Sequence, residues 1–313
     1  MLGGLSWLGA QARWVLAAGV LLATLVPGLS SALRPFLPGL VALILCVSMV
    51  RLDLGGLARR ACRPRRQAAL TAWSAALLVV SPAAVWAGAV AAGLPAAQVA
   101  ALVYTFAAPP IASAPALCLL LGLEATFALE LTVVASLATP FIGPAVTKAL
   151  LGAALPLDAF DLALRIAAMI AAGVALALAL RHMIGPGRIA RHGGAFDGVA
   201  TVVMLLFVIP LFDGFWGVVG TLPWFALGTL GLVLAANWGA QVAVALAGRA
   251  RGPDRAGAAG LMWGNRNVSL YLAALPPDPL FGLYVAFYQL PMLFTPLVLG
   301  RVLRGRGAGR NGG

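Results

Sequence analysis

Ten apolar runs, each about the length of a membrane span, follow one another along the 313-residue chain and are separated by short loops. A helix needs about 20 apolar residues to cross a bilayer. The composition agrees, because 62% of the residues are hydrophobic and only 10% are charged, against about 25% charged in soluble domains. The sequence therefore predicts an all-α integral membrane protein with ten spans, at residues 14–32, 36–51, 68–92, 97–122, 124–147, 159–181, 197–219, 223–248, 257–276 and 279–301.

Basic residues are distributed unevenly over the loops between these runs. Of the 21 lysines and arginines, Arg266 lies inside a run, and only Arg34, Lys148 and Arg165 lie on one face. All the others fall on the opposite face, and an excess of basic residues marks the cytoplasmic side. We therefore expect a multi-pass protein of the bacterial inner membrane with both termini in the cytoplasm, and no nucleic-acid partner. The alternative for the first run alone is a signal peptide that ends near Ser30.

The ten runs divide into two halves of five, residues 1–157 and 158–313. Five is an odd number, so the halves must have opposite orientations in the membrane, which is the pattern of an inverted repeat. The fourth run of each half is interrupted at a corresponding place, by Ala107–Pro115 with its three prolines and by Gly264–Ser269. Proline frees helix carbonyls, and matching broken helices indicate a binding site near the membrane midplane. The pattern therefore predicts a secondary transporter.

The second interruption concentrates polar side chains where lipid would not tolerate them. An arginine at the bilayer centre costs about 2.5–3.5 kcal/mol or more, so it must face protein or a watery cavity. An interhelical hydrogen-bond patch is the alternative explanation. We expect a small organic anion as the substrate and the lipid bilayer as the surroundings. The predicted substrate-binding residues are Ser113, Asn265, Arg266, Asn267 and Ser269.

Glu130 lies inside the fifth run, and a buried carboxylate has to be paired or protonated. Arg266 is its only obvious deep partner in the sequence. Substrate binding at Arg266 would release Glu130 to take up a proton, so Glu130, Thr132 and Arg266 are the predicted ion-coupling residues. The alternative is a structural ion pair that joins two helices.

Other polar residues invite simpler explanations. Asn237 and Gln241 share a helix face and favour interhelical hydrogen bonds. Asp158 and Asp161 suit the start of the sixth helix. The sequence contains no catalytic motif, and its cysteines and histidines form no metal pattern. We therefore expect a transporter without cofactor; a membrane-embedded lipid-modifying enzyme and a non-transporting sensor are the alternatives.

With these residues described, the chain resembles the bile acid:sodium symporter family over nearly its whole length. The similarity is carried by Val50-Arg51-Leu52-Asp53-Leu54, Pro82 and Trp86, Pro109-Pro110-Ile111-Ala112-Ser113, Ala138-Thr139-Pro140 and Gly264-Asn265-Arg266-Asn267. The resemblance implies a core of spans 3–5 and 8–10 that moves against a panel of spans 1, 2, 6 and 7. It also implies that interrupted spans 4 and 9 cross inside the core.

The resemblance further implies a sodium site, which this sequence retains only in part. Sodium-ligand positions of the family fall on Ser113, Thr132 and Asn267, where oxygen ligands remain. Other ligand positions fall on Leu77, Met262, Arg266, and Ala114 or Pro115. Leucine and methionine offer no ligand suited to a hard cation, and arginine adds a permanent charge. We therefore do not expect coupling to two sodium ions; H⁺ remains a possible coupling ion, and a sodium-coupled symporter is the alternative.

Overall fold

The computed structural model describes residues 2–50 and 64–304, and in these ranges the backbone is almost entirely helical, without a β-strand. The family-like segment Arg51–Leu54 and residue Cys62 lie outside the described residues. The helices are α1 (Leu2–Ala10), α2 (Ala12–Leu25), α3 (Pro27–Leu33), α4 (Leu37–Val50), α5 (Pro64–Ala75), α6 (Ser81–Ala91), α7 (Ala96–Ala107), α8 (Ala114–Leu120), α9 (Ala125–Leu151), α10 (Ala159–Ile184), α11 (Pro186–Arg191), α12 (Gly193–Val208), α13 (Phe215–Thr221), α14 (Pro223–Gly248), α15 (Pro253–Gly264), α16 (Ser269–Ala274), α17 (Pro279–Val298) and α18 (Gly300–Arg304).

Seven helical segments within the described residues are long and apolar enough to cross a membrane. They are Gly28–Val50, Pro64–Ala91, Ala125–Ala154, Ala159–Ile184, Gly193–Thr221, Pro223–Gly248 and Pro279–Val298. The predicted spans 14–32, 97–122 and 257–276 consist instead of shorter helices joined at breaks. The expectation of an all-α, multi-pass membrane protein is therefore confirmed. The ten-span inverted repeat, the sidedness of the termini and the bacterial inner membrane stay predictions.

Proline determines several of the irregular points in these helices. A five-residue π-helical turn, Ala76–Val80, joins α5 to α6 immediately before Pro82. Pro82 has no N–H to donate to the carbonyl four residues earlier, so a regular α-helix cannot continue through it with all its hydrogen bonds. The hydroxyl of Ser81 donates to the carbonyl oxygen of Leu77 at 2.7 Å. The turn thus presents main-chain oxygen to the interior of the protein.

The helices pack in two sets, which we name after their central members. In the α4 group, α4 packs on α10 and α12, and α12 packs on α1 and α2. In the α9 group, α9 packs on α5, α7, α8 and α15, while α14 packs on α15 and α17. The two groups meet where α10 packs on α9 and where the short helix α16 packs on α4 and α10. The short helix α16 therefore lies at the boundary of the groups.

Glycine residues allow α15 to lie directly against α14 inside the α9 group. A Cβ atom at Gly260 would lie 2.5 Å from the carbonyl oxygen of Gln241 and 3.0 Å from Cβ of Ala245. At Gly264 a Cβ would lie 2.3 Å from the carbonyl oxygen of Asn237. Small residues of this kind let the backbones of two membrane helices approach each other. The second break is thus held directly against α14.

We expect Gly260→Ala to lower the thermal unfolding temperature of the purified protein in detergent, because the added methyl group collides with main chain that cannot turn away. Overpacking of this kind costs about 1–3 kcal/mol. Gly231→Ala on α14 is the matched control, since a Cβ there meets nothing within 4 Å. Equal unfolding temperatures for the two variants would contradict the close α14–α15 contact.

Candidate functional site

The two breaks cross and pair with each other. The amide of Ile111 donates to the carbonyl oxygen of Asn265 at 3.0 Å, and the amide of Asn267 donates to that of Pro109 at 2.8 Å. Together these bonds form an antiparallel bridge between Pro110 and Arg266. Unpaired main-chain groups are costly in an apolar interior. Each break therefore satisfies one main-chain amide and one carbonyl group of the other break.

The guanidinium of Arg266 lies at this crossing and is surrounded by neutral oxygen atoms. Arg266 is 1% exposed. Its Nε donates to the carbonyl oxygen of Trp263 at 2.8 Å, and its Nη2 donates to Oγ of Ser81 at 2.9 Å. Its Nη1 donates to the carbonyl oxygens of Leu77 at 3.2 Å and Ala108 at 3.0 Å. One side chain thereby joins the π-helical turn, the first break and the end of α15.

Aromatic rings complete the surroundings of this side chain. The ring centres of Phe106 and Trp263 lie 5.5 and 5.6 Å from Cζ of Arg266. The hydroxyl of Tyr288 accepts a hydrogen bond from the Arg266 amide at 3.0 Å and donates to the carbonyl oxygen of Gly264. Aromatic faces attract cations, but they carry no formal charge. The positive charge of Arg266 is therefore solvated by the protein without being neutralised by its hydrogen-bond partners.

The predicted pairing of Glu130 with Arg266 is wrong. Glu130 instead accepts a hydrogen bond from Nε of Arg66 at 2.6 Å, and its side chain is 4% exposed. Glu130 lies in the second turn of α9, beside the beginning of α5, where Arg66 is located. Arg266 lies deeper, beside the π-helical turn at the far end of α5. The sequence alone did not show that Glu130 and Arg266 lie at different depths. It also placed Arg66 in a loop and not in α5, so Arg66 was not considered as a partner for Glu130.

Thr132 and Met262, which the resemblance places at two sodium-ligand positions of the family, lie side by side. Oγ1 of Thr132 is 3.9 Å from Sδ of Met262, and both residues are buried. A thioether is a poor ligand for a hard cation. The contact therefore supplies one hard oxygen at most.

The side chain of Asn265 makes hydrogen bonds within the protein and does not line the cavity described below. Its Nδ2 donates to the carbonyl oxygen of Leu261 at 3.0 Å, and Nδ2 of Asn237 donates to the Gly264 carbonyl at 2.6 Å. Nε2 of Gln241 donates to Oδ1 of Asn237 at 2.6 Å and to the Thr295 hydroxyl at 2.9 Å. The expected hydrogen-bonding role of Asn237 and Gln241 between helices is confirmed.

The expected cap at Asp158 is also found. The side chain of Asp158 accepts a hydrogen bond from the amide of Phe160 at 3.0 Å, and Asp161 lies in the first turn of α10. Both residues belong to the start of a helix and take no part in the crossing.

A cavity of about 120 Å³ lies beside the crossing, between the α4 group and the α9 group. Four of the five predicted substrate-binding residues line it, Ser113, Arg266, Asn267 and Ser269, whereas Asn265 does not. The hydroxyl of Ser269 donates to Oδ1 of Asn267 at 2.6 Å. The remaining lining residues are Val41, Ile44, Ser48, Ile111, Ala112, Met204, Phe207, Val208, Val268, Gln289, Met292 and Leu293.

Sequence inspection missed Ser48 and the contribution of α12. A serine inside an otherwise apolar run was the available signal for Ser48. The apolar residues Met204 and Phe207 have no such signal, because they resemble any lipid-facing residue until the helices are packed.

No protein-family model matches the sequence, and no curated protein matches it. The resemblance to the bile acid:sodium symporter family therefore stays a prediction that rests on the residues quoted above.

We expect Arg266→Lys to destabilise the protein, because one ammonium group cannot reach acceptors on three separate segments as the planar guanidinium does. Loss of even one hydrogen bond from a charged group costs about 1.5–3 kcal/mol. The unfolding temperature in detergent measures this effect, with Arg191→Lys at an exposed position as the control. If both substitutions leave the temperature unchanged, the guanidinium does not hold the crossing together.

Proposed function

We propose that the chain is a ten-span secondary transporter with an inverted repeat, which moves a small organic anion by alternating access without coupling to two sodium ions. The observation that carries this proposal is the buried Arg266 at the crossing of two broken helices, next to a cavity between two helix groups. Irregular main chain inside a membrane protein is tolerated where it is buried in protein or lines a cavity. An ionisable residue inside a membrane protein is energetically costly, so a functional role is the default explanation for Arg266.

The position of the cavity supports movement by alternating access. Its walls come from α4 and α12 on one side and from the breaks and α17 on the other. A shift of the α4 group relative to the α9 group would therefore change which face of the membrane the cavity opens to. The crossing would keep its position relative to the α9 group during that shift.

Charge supports an anionic substrate. Carbonyl and hydroxyl oxygens surround the Arg266 guanidinium, so its unit charge is left without a carboxylate among these partners. In a region of low effective dielectric such a charge acts over several ångströms. An anion in the neighbouring cavity would lower the energy of that charge, whereas a cation would raise it.

The cavity's size and lining support a small substrate with an apolar body. Its 120 Å³ is somewhat less than the roughly 150 Å³ of an engineered cavity that admits benzene. Met204, Phe207 and Met292 supply apolar walls, while Ser113 and Asn267 supply polar groups. A short-chain carboxylate matches this combination.

The surroundings of Arg266 also support independence from sodium. The carbonyl oxygens of Leu77 and Ala108 already accept hydrogen bonds from its Nη1. The Leu77 and Met262 side chains add no hard oxygen. A bound sodium ion at this place would have to displace a charged group that is part of the protein.

Proton coupling by release of Glu130 from Arg266 is not part of this proposal. Glu130 forms an ion pair with Arg66, and an anion beside Arg266 would not break that ion pair. Glu130 therefore serves better as a structural ion-pair residue between α5 and α9.

We expect proteoliposomes to take up short-chain carboxylates but not the corresponding neutral amides, and to do so equally well when potassium or choline replaces sodium at constant pH. The measurement is uptake of labelled substrate against protein-free liposomes. A steep, saturable dependence on sodium would contradict the proposed lack of sodium coupling. Equal uptake of acids and amides would contradict the role of charge.

We expect Met204→Trp to reduce uptake of a transported carboxylate at least tenfold, because the indole fills the cavity. Met183→Trp is the matched control, since Met183 is 77% exposed and lies away from the cavity. The unfolding temperatures of both variants should remain close to that of the unsubstituted protein. Unchanged uptake by Met204→Trp would show that this cavity is not the transport path.

A further inference from the structure

Two arginines hold the end of the short helix α16. Nη2 of Arg34 donates to the carbonyl oxygen of Leu272 at 3.3 Å, and Nη1 of Arg165 donates to that of Ala274 at 3.1 Å. These arginines are two of the only three basic residues assigned by sequence to the face opposite the arginine-rich loops. We name that face the outer face. Two of the three basic residues assigned to the outer face therefore make hydrogen bonds to α16.

The sequence explains why α16 needs donors from elsewhere. A helix carbonyl is normally bonded by the amide four residues later. For Leu272 and Ala273 these residues are Pro276 and Pro277, which have no N–H. For Ala274 it is Asp278, whose extended backbone lies beyond the end of the helix. The end of α16 therefore exposes main-chain oxygens that its own chain cannot satisfy.

The corresponding short helix of the first half, α8, satisfies its own end. The amides of Gly122 and Leu123 donate to the carbonyl oxygens of Leu119 and Cys118 at 3.1 and 2.8 Å, and Gly122 has a φ of +68°. This is a Schellman motif, which caps the last turn without outside donors. The two short helices thus end in different ways.

The arginines also connect the two helix groups. Arg34 lies in the turn before α4 and Arg165 lies in α10, so both belong to the α4 group, whereas α16 belongs to the crossing. Within the described residues, α16 packs on α4 and α10, while the main contacts of α8 are with α9 and α15. The groups are therefore fastened to each other at the outer end of the second broken helix.

The cavity extends in the opposite direction. From the crossing its lining continues along α4 to Ser48, two residues before the helix ends at Val50 on the face of the arginine-rich loops. This cavity thus extends from the crossing toward the face of the arginine-rich loops. A separate pocket of about 340 Å³ lies on the outer side and is lined by Arg34 and Leu272.

We infer that Arg34 and Arg165 form a latch that keeps the outer face closed, and that transport requires their hydrogen bonds to Leu272 and Ala274 to break. This inference rests on the proposed function, in which the two groups move relative to each other. The bonds suit a reversible contact, because Arg34 is only partly buried and Arg165 is exposed, so water can replace the carbonyl oxygens once the groups separate.

The test measures access to the cavity from the outer face. A Met204→Cys reporter is placed in a background with Cys46→Ala, Cys62→Ala and Cys118→Ala, and is labelled with a membrane-impermeant maleimide in sealed right-side-out vesicles. An Asp161→Cys variant, exposed one turn before Arg165, identifies the outer face in the same vesicles. Combining Arg34→Gln with Arg165→Gln should increase the outer labelling rate of Met204→Cys at least tenfold.

Lys148→Gln is the matched control, because Lys148 is the third basic residue of the outer face and is exposed. It should leave the labelling rate unchanged. Arg165→Lys keeps a charged donor on a side chain of similar length, whereas the glutamine amide is neutral and shorter. The Lys variant should therefore restore most of the protection that Arg165→Gln loses, which a general loss of packing would not explain. If the double variant does not fold, each single Gln variant should still accelerate labelling severalfold.

Equal outer labelling of the Gln variants and the Lys148→Gln control would overturn the latch. The experiment needs no substrate, so its outcome is separate from that of the proposed function. Accelerated labelling in a protein that transports no organic anion would retain the latch and reject the proposed substrate.

Discussion

The pairing of two interrupted helices around one guanidinium is the interaction on which the rest of this structure depends. Each break frees main-chain groups that lipid could not satisfy, and the breaks satisfy one another through the Ile111–Asn265 and Asn267–Pro109 bonds. Arg266 then binds the crossing to the π-helical turn before Pro82. Without the opposite break, neither interruption would be tolerated at this depth.

The same arrangement leaves the positive charge of Arg266 without a negatively charged group among its hydrogen-bond partners. A buried ion normally requires a partner of opposite charge, and removing such a partner costs several kcal/mol. Here carbonyl and hydroxyl oxygens share the guanidinium hydrogens, so the main chain lowers the cost without cancelling the charge. A cavity at the boundary of two helix groups lies next to that charge. In the proposed function, Arg266 both stabilises the crossing and attracts the anion.

Much of the candidate site could be predicted from the sequence, and its main error has a clear cause. The breaks were located by proline and glycine, and Ser113, Arg266, Asn267 and Ser269 do line one cavity. Glu130 was assigned the wrong partner because periodicity gives the face of a helix but not which of two arginines lies at the same depth. Arg66 was overlooked because the start of α5 reads as a basic loop. Asn265 does not line this cavity, because its side chain turns back to Leu261.

The sequence by itself determined that this protein is helical and crosses a membrane, since hydrophobic length and charge are local properties that the bilayer selects directly. It also indicated the two breaks, through the prolines of Ala107–Pro115 and through the polar residues that follow Gly264, although α9 and α17 continue through internal prolines. Only the tertiary structure decided which breaks meet, which oxygens surround Arg266 and which arginines reach the end of α16. These choices depend on contacts between segments such as Arg34 and Leu272, which are 238 residues apart. A local sequence pattern cannot predict such a contact, because the donor and the acceptor come together only after both helices have packed.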